Sequence, residues 1–457
     1  VSRSHRGSTA MVNEDAGANW SAGMGSGFLF VPLLVLCPAI CQLLAFITTD
    51  DRVTPTLTGF WEFCSKEGAA GCAAAALTRS PLDSRPWIFL ALFCLLARLL
   101  DVLPAPEKCG PVTATGHVPR YLDNGILHCV LFSMVFGGLS DLGLGLYDFG
   151  IIYDIFGPLI SALNLFGLVF CLFLYVKGLN FPSTKDCGSS GSFMLDYYWG
   201  TELYPKILGI DVKRFVNCRF SMTFWMLAGL SFTYKSYKLH GALDYGLLLS
   251  AVSQYLYLVK FFAWEIGYMR SIDIIVDRAG FYETWGCLVW VPAMYTLHTR
   301  TCVRSPTGLS PQAAGAIFVV GMAGVLLNFW ADKQREWFRE ADGKIKIWGK
   351  APRFVEATYT IVDGGKRVEK KSLLLASGFW GVARHFHYFF ELTAAWSWCL
   401  LANPLVNGVL PLSYAIFLTI LLFDRAKRDE GKCLKKYGKD YQKYAEMVKY
   451  LIIPGVY

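Results

Sequence analysis

Apolar residues in this chain come in long runs, not in the short alternations of a soluble fold. Ten such runs recur, near 27–48, 86–104, 121–142, 156–177, 215–234, 243–263, 281–297, 311–330, 375–401 and 403–423. About 20 apolar residues carry a helix across a bilayer, so the pattern predicts an all-α, multi-pass transmembrane helical bundle of about ten spans. The ninth run opens on polar residues, Ser377-Gly-Phe-Trp-Gly-Val-Ala-Arg-His-Phe-His-Tyr388, and part of it is expected as irregular backbone lining a cavity. Residues 1–25 are rich in Ser, Gly and Asn and read as a disordered cytosolic extension. Residues 26–457 read as one membrane domain. The first run has full span length and no small-residue cleavage site after a short core, so it reads as an uncleaved anchor.

Charge orients the bundle. The chain is 54% hydrophobic, with 17% charged residues and a net charge of +8. The connector 143–155 holds Asp148 and Asp154 and no Lys or Arg, whereas 331–372 holds eleven Lys/Arg against seven Asp/Glu, and 424–457 nine against five. The positive-inside rule places the last two, and with an even span count both termini, in the cytosol. The basic residues sit beside spans, where they orient the protein and meet anionic membrane lipid. No nucleic-acid partner is expected.

Most of the fourteen cysteines fall inside apolar runs, as Cys94, Cys129, Cys171, Cys287 and Cys399 do, where cysteine is a small apolar filler. Cys64 and Cys72 share the first non-cytosolic loop; spacing leaves open whether they pair. No Cys/His spacing suggests a metal site. His385 and His387 are two apart and would not share a helix face.

The candidate chemistry lies around the last two runs. Arg384, His385 and His387 at the mouth of a membrane hairpin are costly without a partner. The tail adds Lys435, Lys436, Tyr437 and Tyr444. Cations gathered beside aromatic rings suit a phosphorylated, ring-bearing cofactor. Arg335 and Arg339 lie four apart after the eighth run and share a face if the helix continues; they either clamp phosphates or form a solvated helix end. The chain has no Gly-x-Gly-x-x-Gly after a strand and no Gly-x4-Gly-Lys-Ser/Thr, so a dinucleotide would bind without a Rossmann unit or P-loop. Glu265, Asp273, Asp277, Arg278 and Glu283 bracket the start of the seventh run. They are functional acids or interfacial ion pairs, and the same choice applies to Asp196 and Glu202.

Six ordered motifs then carry a resemblance over about residues 110–457. They are Gly110-Pro-Val-Thr-Ala-Thr-Gly-His-Val-Pro-Arg-Tyr121 with Asn124-Gly125; Asp196-Tyr-Tyr-Trp-Gly-Thr-Glu-Leu-Tyr-Pro205; Asn217-Cys-Arg-Phe220; Asp277-Arg-Ala-Gly-Phe-Tyr282 with Trp285-Gly-Cys-Leu-Val-Trp-Val-Pro292; Ser377 to Tyr388; and Leu422-Phe-Asp-Arg-Ala-Lys-Arg-Asp429 running to Ile453-Pro-Gly-Val-Tyr457. The chain resembles the sterol reductases, and within them the sterol Δ7-reductases of plant-like form. Δ14-reductases typically read Arg-His-Pro-Asn-Tyr where this chain has Arg384-His-Phe-His-Tyr388, and Gly-Asp where it has Gly286-Cys287. Arg335 departs from the Lys of some members, and His387 from the Asn of animal members.

The resemblance implies an endoplasmic reticulum enzyme that reduces the C7–C8 bond of Δ5,7-sterols with NADPH. Carried over by position, the cofactor would be held by Arg335, Arg339, Leu375, Trp380, His387, Tyr388, Asp429, Cys433, Lys436, Tyr437 and Tyr444. A ring alkene accepts hydride only as a proton gives it carbocation character, so an acid is also required. Asp277, Asp273, Glu265 and Tyr282 are the candidates, with Glu202 behind them. The alternatives are a Δ14-sterol reductase, a membrane methyltransferase of the isoprenylcysteine type, which shares an Arg-His-x-x-Tyr element and a charged tail, and a sterol-binding protein without turnover.

Overall fold

The computed structural model describes residues 30–77, 81–113, 115–363 and 366–457; the extension expected at 1–25 lies outside them. The described chain is mostly helical and divides into two compact units. One comprises the described residues up to Gly308 with Ala402–Pro411; the other comprises Leu309–Leu401 with Leu412–Tyr457. Four of the described helices are long and apolar enough to cross a membrane: Val31–Thr49, Phe156–Asn180, Tyr245–Ala263 and Pro311–Glu340. Other apolar runs fold as shorter helices, such as Gly125–Leu139 and Phe386–Leu400, or change winding along their length.

In the first unit, aromatic rings build the core. Phe93 meets Phe132, Phe220 and Phe224 at centroid distances of 4.7, 5.7 and 6.2 Å. Two of the sequence motifs fold as wide π-type turns, Phe215–Ser221 and Phe281–Tyr295, a winding that tends to mark functional positions. The connectors gather into two groups. Those at 105–124, 178–214 and 264–280 touch one another: Arg214 donates to the Leu122 carbonyl, Lys213 to Ile274, and Arg278 to Gly188 and Thr201. A second group joins Lys238 to Asp148, Arg304 to the Val53 carbonyl and Thr307 to Asp244. Cys64 and Cys72 form a disulfide within a helix kinked at Gly68.

In the second unit, Ser310 accepts from the Ala313 N–H at 3.2 Å and Pro311 opens the helix Pro311–Glu340, a favourable start on both counts. Thirty residues make a helix of about 45 Å, longer than the roughly 30 Å of hydrocarbon. The helix therefore continues past the apolar run and carries Arg335 and Arg339 on one face. A β-hairpin follows, Phe354–Asp363 against Lys366–Leu375, antiparallel, with Phe354 opposite Leu375. It corrects the all-α expectation, as do two minor sheets at Glu107–Cys109/Arg120–Leu122 and Lys206–Ile207/Ile210–Asp211. The physical reason lies in the residues. The stretch Phe354-Val-Glu-Ala-Thr-Tyr-Thr-Ile-Val-Asp363 is rich in β-branched and aromatic side chains, and Asp363-Gly-Gly-Lys366 is hairpin-turn chemistry. The lysines and arginines around it make the connector conspicuous by its charge and obscure this pattern. As expected, the ninth run opens irregularly, with a short 3₁₀ turn at Gly378–Gly381 before the helix starts at Phe386. Gly378 has φ +61°, and a Cβ there would lie 2.1 Å from Gln334 Oε1, so this turn requires glycine.

Candidate functional site

The second unit collects the predicted cofactor residues into one connected constellation. The Arg335 guanidinium lies 3.9 Å from the Trp380 ring centre and bonds Asp332 at 3.1 Å. Trp380 is buried and its indole N–H donates to the Ala331 carbonyl at 2.8 Å. Its ring sits 4.9 Å from His387, which sits 4.2 Å from Tyr388. His385, just ahead of the helix, stacks on Tyr388 at 5.3 Å and lies 3.6 Å from Asp429. The two histidine rings are 5.9 Å apart. The helical rule that separates them does not apply, because His385 is not inside the helix.

Helix Ser413–Tyr437 supplies the next residues one turn apart. The Cys433 thiol faces Asp429 at 3.8 Å. Lys436 lies 4.0 Å from the Tyr359 ring and 4.9 Å from Tyr437, so the hairpin forms one wall of this cluster. Burial pulls Lys436 below the ordinary lysine range and pushes the Cys433 thiol up to about 12, with Asp429 adding to the rise. Tyr444 is pushed up to about 12 by burial, against the opposing pull of Arg335, Arg384 and Arg339. Arg339 acts on Lys436, Tyr437 and Tyr444. Leu375 is buried against Phe338, Phe379 and Trp380. Beneath the site, Arg384 pairs with Glu430 at 2.5 Å and donates to the Val448 carbonyl at 2.6 Å. That is the partner its position demanded.

The donor set fits a phosphorylated, ring-bearing cofactor. Two cations, Arg335 and Lys436, stand over aromatic faces, and Arg339 adds a third charge that acts on Tyr437 and Tyr444. His387 Nδ1 is buried and, among the described residues, has no hydrogen-bond partner. Such an atom calls for a ligand or a water.

The first unit holds the candidate acids, and it treats them differently. Glu265 is 3% exposed and bonded by Arg214 at 3.2 Å and Arg219 at 3.0 Å. Both arginines also bond Asp101, at 2.8 and 2.9 Å, and the Asn124 amide oxygen at 2.8 Å. Gly125 lies against this network; a Cβ there would meet Glu265 Oε2 at 2.4 Å. Two guanidiniums thus occupy both oxygens of the Glu265 carboxyl group. Glu202 is similarly held, by Lys177 at 2.8 Å and the Ser183 N–H at 2.5 Å. Asp196 is occupied by Ser189 and Ser190.

Asp277 and Asp273 stand elsewhere. Asp277 is buried, and its carbonyl accepts from Lys213 Nζ at 2.5 Å. Asp273 and Asp277 both act on Lys213, as do Glu283 and Asp211. Burial, then Asp273, pushes the Tyr268 phenol well up. Tyr282 packs on Trp199 at 5.1 Å and Tyr198 at 6.1 Å. The chain approach there is close: a Cβ on Gly200 would lie 2.6 Å from the Ala279 carbonyl carbon.

Sequence reasoning passed over Lys213, Tyr268 and Tyr359. The only signal for Lys213 was a charged triplet, Asp211-Val-Lys-Arg214, set against the fifth run.

The Ergosterol biosynthesis ERG4/ERG24 family matches residues 55–457 of the chain. The chain is 41% identical over 433 residues to a 7-dehydrocholesterol reductase of Arabidopsis thaliana, covering 93% of this chain and 96% of that one. It is 36% identical over 372 residues to a 7-dehydrocholesterol reductase of Danio rerio, covering 81% and 77%. It is also 35% identical over 433 residues to a Delta(14)-sterol reductase of Methylotuvimicrobium alcaliphilum, covering 95% and 96%.

Proposed function

This chain belongs to the ergosterol biosynthesis ERG4/ERG24 family of sterol reductases, and we propose that it reduces the C7–C8 double bond of Δ5,7-sterols with NADPH in the endoplasmic reticulum membrane, its termini in the cytosol. The methyltransferase alternative falls with the family assignment. The observation that carries the cofactor reading is the Arg335–Trp380–His387 stack, with Arg339 and Lys436 beside Tyr437 and Tyr444.

NADPH would supply the hydride from its nicotinamide. Arg335, Arg339 and Lys436 offer more positive charge than a pyrophosphate alone requires, which suits an added 2′-phosphate. Trp380, Tyr388 and His387 offer ring faces and one free nitrogen to orient it. The chain's own chemical task is the proton. Asp277 is our first choice of donor, with Asp273 and Tyr282 as partners or substitutes. The donor gives its proton to one carbon of the alkene, whose electron pair forms the new C–H bond. The adjacent carbon gains cation character and takes the hydride. The carboxylate left behind recovers a proton from water. Glu265 is not proposed as donor, because it is already committed to two arginines.

The Δ14 relative favours a second reading, reduction of the C14–C15 bond. Expression in a yeast that accumulates ergosterol distinguishes the two. A 7,8-saturated product supports the proposal; persistent ergosterol with loss of Δ14-sterols would make the chain a Δ14-reductase.

A further inference from the structure

Lys213 is a lysine in an unusual place. It is 1% exposed, and its ammonium donates to two main-chain carbonyls of one turn, Ile274 at 2.8 Å and Asp277 at 2.5 Å. The third side is a ring face, Tyr204, with its centre 5.7 Å from Nζ. Asp211, on the strand just before it, accepts from the Arg214 N–H at 2.9 Å and so starts the helical turn that carries Lys213. A buried ammonium is costly unless opposite charge faces it. Here it is faced from every packed element: by Asp211 on its own, by Asp273 and Asp277 on the connector 264–280, and by Glu283 on the π-type turn. Glu283 is also bonded by Thr284 at 3.0 Å. The Tyr268 phenol and the Cys287 thiol lie in the field of the same acids.

We propose that Lys213 is a positioning residue for proton donation: it clamps the main chain of the 273–277 turn and supplies the positive charge that the turn's carboxyls face. The inference rests on the reading that the donor is Asp277 or Asp273. Its physical content is twofold. The two carbonyl bonds fix where the acid stands. The charge favours the carboxylate over the acid, so Lys213 limits the pH up to which the donor keeps its proton. Burial lowers the affinity of Lys213 for its own proton, and the surrounding acids hold that proton in place.

The test separates bond from charge. In the full-length, detergent-solubilised enzyme with NADPH and a Δ5,7-sterol, kcat is followed against pH for Lys213→Arg, Lys213→Gln and Lys213→Met. Loss of a unit charge that acts on a buried carboxyl moves its titration by about one pH unit. Lys213→Gln keeps an N–H donor without the charge, so the alkaline limb of kcat should move up by about that amount. Lys213→Arg should leave the limb where wild type has it. Lys213→Met should add a loss of thermal stability to the shift. Limbs that coincide in Lys213→Gln and wild type, with only stability changed, would overturn the inference and leave Lys213 a structural strut. Asp277→Asn and Asp273→Asn are measured in parallel. If both keep wild-type kcat, the underlying choice of donor fails. If either abolishes turnover while the Lys213→Gln limb stays put, the donor stands and only the role of Lys213 falls.

Discussion

The Arg335 guanidinium approaches the Trp380 ring centre to 3.9 Å, and the same indole is anchored by its N–H to Ala331, one turn back on the helix that carries Arg335. Cation and ring are thus held by one helix, and the cation's position does not depend on a flexible loop. Cation–π contacts contribute about 0.5–2 kcal/mol. Trp380→Ala should therefore weaken NADPH binding by about 3- to 30-fold. Trp380→Phe keeps the ring face but loses the bond to Ala331, so it should weaken binding less. Fluorescence titration of the purified protein checks both; equal affinity across all three proteins would remove Trp380 from the site.

A role of Arg339 in cofactor choice is testable. It acts on Tyr437, Tyr444 and Lys436, where a second cation next to Lys436 suits a phosphate monoester. Arg339→Ala should raise the KM for NADPH and narrow its preference over NADH. The check is a comparison of kcat/KM for the two cofactors, and an unchanged ratio would argue against this assignment.

Lys436 gives the site a pH dependence with a definite sign. Burial holds its proton affinity below the ordinary lysine value of about 10.4. Raising pH toward that value should neutralise Lys436 early, remove a cation from the site, and weaken NADPH binding. Lys436→Arg, which stays charged, should hold its affinity over the same range. Titrations at a series of alkaline pH values would show either a divergence of the two curves, as expected, or parallel curves, which would exclude Lys436 as a phosphate contact.

The Asp101–Arg214–Arg219–Glu265 network predicts the opposite kind of phenotype. Removing one member of a buried charged set costs about 3–5 kcal/mol. Arg219→Met should sharply lower the melting temperature in detergent, and Glu265→Gln should follow it. Whatever Glu265→Gln enzyme folds should turn over near the wild-type rate. A stable Glu265→Gln protein with kcat reduced about 100-fold or more would return Glu265 to the list of proton donors.

Much of the second unit was legible in the chain. Arg335 and Arg339 read as one helix face because helical spacing is a local property. The irregular start of the ninth run read as such because polar residues interrupt an apolar stretch. The hairpin Phe354–Leu375 was written in its β-branched residues and its Asp-Gly-Gly turn, but the surrounding lysines masked it. Tyr359 could not have been assigned to Lys436, because the contact needs both the hairpin register and its docking on helix Lys439–Met447, where the Thr358 N–H donates to Asp440 at 3.2 Å.

By itself the sequence determined the class of molecule, the apolar runs, the charge asymmetry of the connectors, the family motifs and the local groupings of cations with rings. These follow from residue type and near-neighbour spacing. Only the tertiary structure decided which charges each acid meets. Glu265 and Asp277 look alike in the chain, two acids beside one apolar run. Glu265 meets Arg219 across 46 residues, and Arg219 meets Asp101 across 118. Asp277 meets Lys213 across 64. A carboxyl's role is set by the charges within a few ångströms, and at such sequence separations only the folded chain brings them there.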